Sequence, residues 1–324
     1  MIDRASARLV SLLALLLLVA GCGGASTSGT QAKQPTAINI GLLPINDVAP
    51  LYLGIKKGFF KQQNLTVHAQ LMQGGAAVAS AVIGGSLDFG FAAAVNLILA
   101  KNQGLPVKIV APGNSAAADA AHDWSAIMVS GDSPIRSVHD LAGKTIASNA
   151  LKGVNELAID SVAMKAGVST SSLKIVPVDF PDMPAALSQK RVDAVSLAEP
   201  WVTVIKGQGG RVLSPLFTGL IPGMTVGTYF TTDREIQEHP AVVKEFATAI
   251  QKSLAYAQAH PAEARQIIAT YTKTSPTLLS KIQLSPWDSK LNRPSITRTE
   301  QMMKNLGWLK SNVNVSTLIW SGAG

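Results

Sequence analysis

Apolar and polar positions alternate between two periods along most of the chain. From Ile38 to Phe60 it reads INIGLLPINDVAPLYLGIKKGFF. The apolar run Ile38 to Leu43 has the length of a buried strand. A turn through Pro44, Asn46 and Asp47 follows, and then a helix. Pro50 suits the first helical position, which makes Ala49 the cap, and Gly58 is the stop. Alanine has no side-chain oxygen, so the first-turn N–H groups need another acceptor. LTVHAQL (Leu65 to Leu71) alternates as a strand does. The pattern then predicts a helix from Ala76 to Ile83, a strand from Leu87 to Phe91, a helix from Ala92 to Gln103 and a strand from Val107 to Ala111. Such alternation implies an α/β fold with a mostly parallel sheet.

A second series predicts strands at Ala126 to Val129, Thr145 to Ala147, Leu173 to Val178 and Asp193 to Leu197. Helices at Gly153 to Ala166 and Met183 to Lys190 lie between them. GGSLDFGFA (Gly84 to Ala92) and QKRVDAVSLA (Gln189 to Ala198) share an order: helix end, apolar residue, Asp, short strand. This weak repeat points to two similarly wired lobes. After a strand at Thr225 to Thr231 the tail is mostly helical. Its clearest helix, Ala241 to Ala259, carries Val243, Phe246, Ile250, Leu254 and Ala257 on one stripe. Shorter helices follow near Ala262 to Thr270, Ser275 to Gln283, Thr297 to Leu306 and Val315 to Trp320.

A strand ending in Pro, an Asp-bearing loop, a helix ending in Gly58-Phe59-Phe60 and then an L-x-V strand resembles the solute-binding proteins of ABC importers. The resembled branch is the nitrate, sulfonate, taurine and thiamine-pyrimidine group. Asp140-Leu141-Ala142-Gly143-Lys144 adds to the likeness, which runs diffusely from Ile38 to Trp320 and is strongest before Pro200. The resemblance implies a periplasmic-binding-protein fold of type II, with two lobes and a hinge of two crossings. It also implies that the tail returns to the first lobe. The expected division is residues 36–123 plus 221–324 for lobe 1 and 124–220 for lobe 2.

Composition adds an address. Arg4 and Arg8 precede an apolar run from Leu9 to Ala20, too short to span a bilayer, so residues 1–21 read as a signal peptide. Val19-Ala20-Gly21-Cys22 looks like a lipoprotein processing box with Cys22 as the lipid-bearing residue. Residues 22–35 are Gly-, Ser- and Thr-rich and read as a flexible tether. The expectation is a monomer held by lipid at the outer face of the cell membrane or in the periplasm. Cys22 is the one cysteine, which excludes a disulfide framework. Without Asp3, Arg4 and Arg8 the chain holds 26 basic and 19 acidic residues. The basic residues are scattered, so a nucleic-acid partner is not expected.

Enzyme signatures fail on inspection. Gly143-Lys144-Thr145 ends like a phosphate-binding loop, but Val138 stands where the first glycine is required. Gly84-Gly85-Ser86-Leu87-Asp88 ends in Asp where a nucleophile elbow needs Gly. The five histidines lack metal-ligand spacing. No metal or cofactor is expected, and a secreted enzyme or a scaffolding lipoprotein remain the alternatives to a solute binder with an ABC permease partner.

Ligands of open α/β sheets bind beyond the carboxyl ends of the strands. That rule selects Asn46, Asp47, Gln73, Gly74, Ala93 and Asn96 on the first lobe, with Tyr52 as a stacking face and Thr225 on the returning strand. On the second it selects Asn149, Lys152, Gly153, Glu199 and Trp201. Glu199 can equally close its own helix, since Pro200 fits a first helical position. The first-lobe helix starts at Ala49, Gly74-Gly75 and Ala92-Ala93 offer free N–H groups to a ligand acceptor. Asp47 and Glu199 favour a solute with N–H donors, and a small amine-bearing or heterocyclic molecule is the expectation.

Overall fold

The computed structural model describes residues 34–323. The expected signal peptide and Cys22, and most of the expected tether, lie outside them. Strand β1 (Thr36–Leu42) leads through a short 3-10 turn at Asn46–Val48 into α1 (Ala49–Lys56) and α2 (Phe59–Gln62). Then come β2 (Leu65–Leu71), α3 (Gly75–Ile83), β3 (Phe89–Ala93), α4 (Ala94–Asn102) and β4 (Val107–Ser115). The chain continues through β5 (Ser125–Val129), β6 (Thr145–Ser148), α5 (Val154–Lys165), β7 (Lys174–Pro177) and α6 (Met183–Ser188). After these are β8 (Ala194–Ala198), α7 (Trp201–Gly207), β9 (Arg211–Pro215), α8 (Phe217–Leu220) and β10 (Thr225–Thr232). The tail is α9 (Asp233–Glu238), α10 (Pro240–Ala259), α11 (Pro261–Thr272), α12 (Pro276–Leu279), α13 (Arg293–Asn305) and α14 (Val315–Leu318).

These strands form two five-stranded sheets, in the orders β2-β1-β3-β10-β4 and β7-β6-β8-β5-β9. The wiring is the same in both. In each, three strands run parallel and a fourth, antiparallel, strand is inserted beside them. That inserted strand is always the first one after the chain has crossed: β5 on the way out, β10 on the way back. The result is the two-lobed α/β fold with a two-crossing hinge.

Burial explains the first sheet's covering. Val243, Phe246, Ile250, Leu254 and Ala257 of α10 are all buried, as the stripe required. Phe246 stacks on Phe89 at 4.0 Å between ring centroids and meets Tyr229 edge-on. The tail reaches the same sheet at its end, where Trp320 N–H donates to the Ile109 carbonyl at 2.9 Å. α12 is different, for it packs on α7 beside the second sheet.

Several boundaries differ from the sequence reading. Val48, not Ala49, caps α1, because the 3-10 turn already starts the coil and puts Pro50 one position further in. Ala92 and Ala93 belong to β3, paired with Thr228 and Gly227. Pro200 itself caps α7, and Glu199 stands one residue before it, joined by a cis peptide bond. Strand β9 was not foreseen: it is short and pairs only with β5, at the sheet edge.

Candidate functional site

A narrow cavity lies between the two sheets, with room for water-sized molecules of about 40 Å³. The first sheet contributes Leu43, Ile45 and Asp47 after β1, Gly75 at the start of α3, Phe91 and Ala93 on β3, and Asn96 on α4. The second contributes Asn149 and Ala150 after β6, Gly153, Val154 and Asn155 at the start of α5, Phe180 after β7 and Ala198 at the end of β8. Residues at the crossings close it: Trp124, Phe217, Val226 and Gly227.

Each position follows from local structure. Trp124 is held by its indole N–H, which donates to the Ser115 carbonyl at 2.9 Å, and its ring packs on Phe217. Gly227 lets β10 run beneath Phe91: a Cβ there would stand 2.2 Å from the ring. Asn155 is fixed from the second sheet, donating to the Ser196 carbonyl at 2.8 Å. The starts of α3, α4 and α5 all face the cavity through Gly75, Ala93 and Gly153, and none has a side-chain cap. Three sets of first-turn N–H groups therefore point positive dipole ends at one space.

Among the described residues, Asp47 is the only ionisable side chain in the lining. It is 2% exposed, and its Oδ1 has no hydrogen-bond partner. Burial pushes its carboxyl up to about 7, against a smaller lowering by its own backbone N–H and the nearby Asn114 amide. Burial likewise raises Tyr229, whose hydroxyl is also without a partner, and carries Tyr52 to about 12.

The sequence-selected residues fall into two groups. Asp47, Ala93, Asn96, Asn149 and Gly153 line the cavity. The others stand behind or beside it. Asn46 is buried, accepting from Ser285 N–H at 3.0 Å and donating to the Glu199 carbonyl at 3.4 Å. Tyr52 stacks on Tyr271 at 4.3 Å rather than facing the space. Gly74 caps α3, Gln73 is exposed, and so is Lys152, in left-handed conformation with its backbone N–H bonded to Glu156. Thr225 accepts from Asn292 N–H at 2.9 Å.

Glu199 and Trp201 are engaged within the fold. The Glu199 carboxylate accepts from Thr203 N–H at 3.0 Å and from the Thr203 hydroxyl at 2.8 Å, which closes the first turn of α7. It also accepts from Gln283 N–H at 3.3 Å. Burial still raises its pKa, and these donors lower it in part. The Trp201 indole donates to the Pro44 carbonyl at 3.0 Å, tying α7 to the loop after β1. Neither lines the cavity.

Sequence reasoning missed Phe91, Trp124, Asn155, Phe180, Phe217, Val226 and Gly227. The rule about carboxyl ends covers parallel strands alone. Antiparallel β5 and β10 bring their amino ends to the same place, and an aromatic just before a crossing strand was the available signal.

Comparison with known proteins agrees with this architecture. The riboflavin-binding protein RibY of Chloroflexus aurantiacus is 23% identical over 337 aligned positions, covering 93% of each chain. A formylaminopyrimidine-binding protein of Halalkalibacterium halodurans is 22% identical over 82% of this chain and 79% of its own. In fold, the alkanesulfonate-binding protein SsuA of Xanthomonas axonopodis pv. citri, solved with MOPS, superposes with a TM-score of 0.75 at 19% identity. It covers 89% of this chain and 99% of its own. The sequence profile described as NMT1/THI5 like matches residues 45–264. With the paired sheets and the cavity between them, that match over most of the described residues settles the kinship: the chain belongs to the NMT1/THI5-like family.

Proposed function

We propose that this protein is an extracytoplasmic solute-binding component of an ABC importer. It closes its two lobes on a small organic solute and delivers it to a permease. The observation that carries this reading is the cavity lined from both sheets, since a site shared across a two-crossing hinge is closed by hinge motion. The solute we favour is flat, largely apolar and rich in hydrogen-bonding nitrogen or oxygen. Phe91, Trp124, Phe180 and Phe217 offer ring faces, and Asn96, Asn149 and Asn155 offer amides. No Lys, Arg or His lines the cavity, which argues against a strongly anionic solute, although helix N-termini suit acceptor groups. The names of the riboflavin- and formylaminopyrimidine-binding relatives support a heterocycle; the sulfonate-binding structure supports an anion.

We assign solute contacts to Asp47, Ala93, Asn96, Asn149 and Gly153, and supporting roles to Asn46, Tyr52, Glu199, Trp201 and Thr225. The chain acts as a monomeric binder and not as an enzyme in this reading, which the names of its binding-protein relatives support. Lobe 1 is taken as 36–123 plus 221–324 and lobe 2 as 124–220. Cys22 carries the lipid, on the strength of the Val19-Ala20-Gly21-Cys22 box at the end of the apolar run, and two acyl chains anchor a protein that one holds only marginally.

Mass spectrometry of solute released from purified, denatured protein tests the reading. A bound heterocycle or amine is expected. A sulfonate or nitrate overturns the solute class, and an empty cavity that gains thermal stability from no solute in a broad screen overturns the function. Cys22→Ala is expected to shed the protein from membranes, and unchanged fractionation and processing would defeat the anchor.

A further inference from the structure

The cavity holds one polar group that the fold leaves open. Asp47 sits at the turn after β1, pinned on all sides through its main chain. Trp287 donates its indole N–H to the Asp47 carbonyl at 3.2 Å, and Tyr271 donates to the neighbouring Ile45 carbonyl at 3.0 Å. Its side chain lines the cavity, 2% exposed, with Oδ1 unpartnered. Asn114 on β4 is near enough for its amide to lower the carboxyl in part, yet its nitrogen makes no hydrogen bond, and the Tyr229 hydroxyl on β10 is likewise unpartnered. The titratable side chains that feel the Asp47 charge are Tyr229 on β10 and Tyr271 on α11, with Tyr52 on α1 stacked behind Tyr271, and burial raises all three. No charged group is among the influences on its ionisation.

Buried polar groups in native proteins are nearly always paired, and an exception needs a reason. We infer that Asp47 makes solute capture proton-linked: the solute supplies the N–H or O–H donor that Oδ1 lacks, and the carboxyl gives up its proton as it accepts that bond. This rests on the solute-binding reading above and adds to it a polarity and a pH dependence. The balance is simple. Below about pH 7 the carboxyl is neutral before capture; afterwards there is a carboxylate, a solute hydrogen bond and one proton released to water. Burial sets the window, since it pushes this carboxyl up to about 7. Below that pH capture must remove a proton, and affinity falls by about tenfold per pH unit. Above it the dependence flattens.

The experiment uses the full processed chain, stripped of solute by unfolding and refolding. Riboflavin, a formylaminopyrimidine and MOPS are titrated calorimetrically at pH 6, 7 and 8, in two buffers of different ionisation enthalpy. For a probe that binds, the expected result is about a tenfold gain in affinity from pH 6 to pH 8 and net proton release near neutral pH. Asp47→Asn should bind at least tenfold more weakly at pH 8 and lose the slope. Tyr229→Phe should keep the slope. A flat profile, a slope of opposite sign, unchanged affinity in Asp47→Asn, or a slope abolished by Tyr229→Phe each overturns the inference while leaving the protein a binder. If none of the three probes binds, the solute class is what has failed. The carboxyl resonance of Asp47 in the empty protein, assigned against Asp47→Asn, then decides. A midpoint near 7 upholds the open acceptor, and one in the ordinary carboxylate range overturns it.

Discussion

Two buried carboxylates stand at neighbouring corners, one on each lobe, and they are treated in opposite ways. Glu199, after β8, has donors on both oxygens: its own helix, a threonine hydroxyl and the backbone of the tail. Asp47, after β1, has an oxygen with none. The corners touch, since Asn46 N–H donates to the Glu199 carbonyl at 2.9 Å. One carboxylate belongs to the scaffold and the other is kept for the cavity. Burial alone does not reveal which is which, as both are 2% exposed. The donor list does.

The contrast is open to attack, first through pH. Burial raises Asp47 from its ordinary 3.8 to about 7. The unfolded chain ionises at the lower value, so stability present below about pH 4 is lost as pH rises to about 7. The loss is on the order of 4 kcal/mol at about 1.4 kcal/mol per unit. Asp47→Asn should remove this slope and leave the empty protein more stable than wild type at pH 8. Denaturant midpoints of both proteins from pH 4 to pH 8 measure it, and parallel curves would refute it. Glu199→Ala should do the reverse. It strands two N–H groups and a hydroxyl, and losing such a cap and its charged bonds costs about 3 kcal/mol. Equal midpoints for Glu199→Ala and wild type at pH 7 would show that the donors find other acceptors.

Smaller effects probe the surroundings of the two groups. Trp201→Phe keeps the ring and removes the bond to the Pro44 carbonyl, for a loss of about 1 kcal/mol. Small-angle scattering of the empty protein should show a more open average shape, and an unchanged radius of gyration would mean that the bond does not hold the lobes together. Gly75→Ala should barely alter melting, because alanine gains up to about 1 kcal/mol of helix propensity. Its Cβ would nevertheless stand 2.7 Å from Asn96 Oδ1 and push that amide across the cavity. Retention of the co-purifying solute should fall, and full retention would remove Asn96 from the site.

Much of the scaffold was legible because periodicity is local. The α10 stripe names its own buried face, and the strand–helix alternation from Ile38 to Leu197 names two α/β sets. The strand–loop–helix start and the closing Gly58-Phe59-Phe60 pointed to the family. The candidate site was half legible. The loops beyond parallel strands gave Asp47, Ala93, Asn96, Asn149 and Gly153. Trp124 was missed because its place in the cavity depends on an antiparallel insertion that no short window encodes, and Phe91 because the strand read as ending there runs on to Ala93. Glu199 could be read as a contact or as a cap from sequence; the positions of Thr203 and Gln283 are what separate its placement from that of Asp47.

The inserted strand has a consequence for the order in which the molecule can assemble. In the first sheet, among the described residues, β4 has β10 as its only strand neighbour, so residues 107–115 have no strand to pair with until residues 225–232 exist. The second sheet is complete once residue 215 has emerged, with every strand drawn from one uninterrupted stretch. Long loops must close before the first sheet can, and closing them is slow. A chain released from its N-terminus onward would therefore finish its second lobe before its first, and would leave the β1–β3 edge unpaired until the return strand arrives.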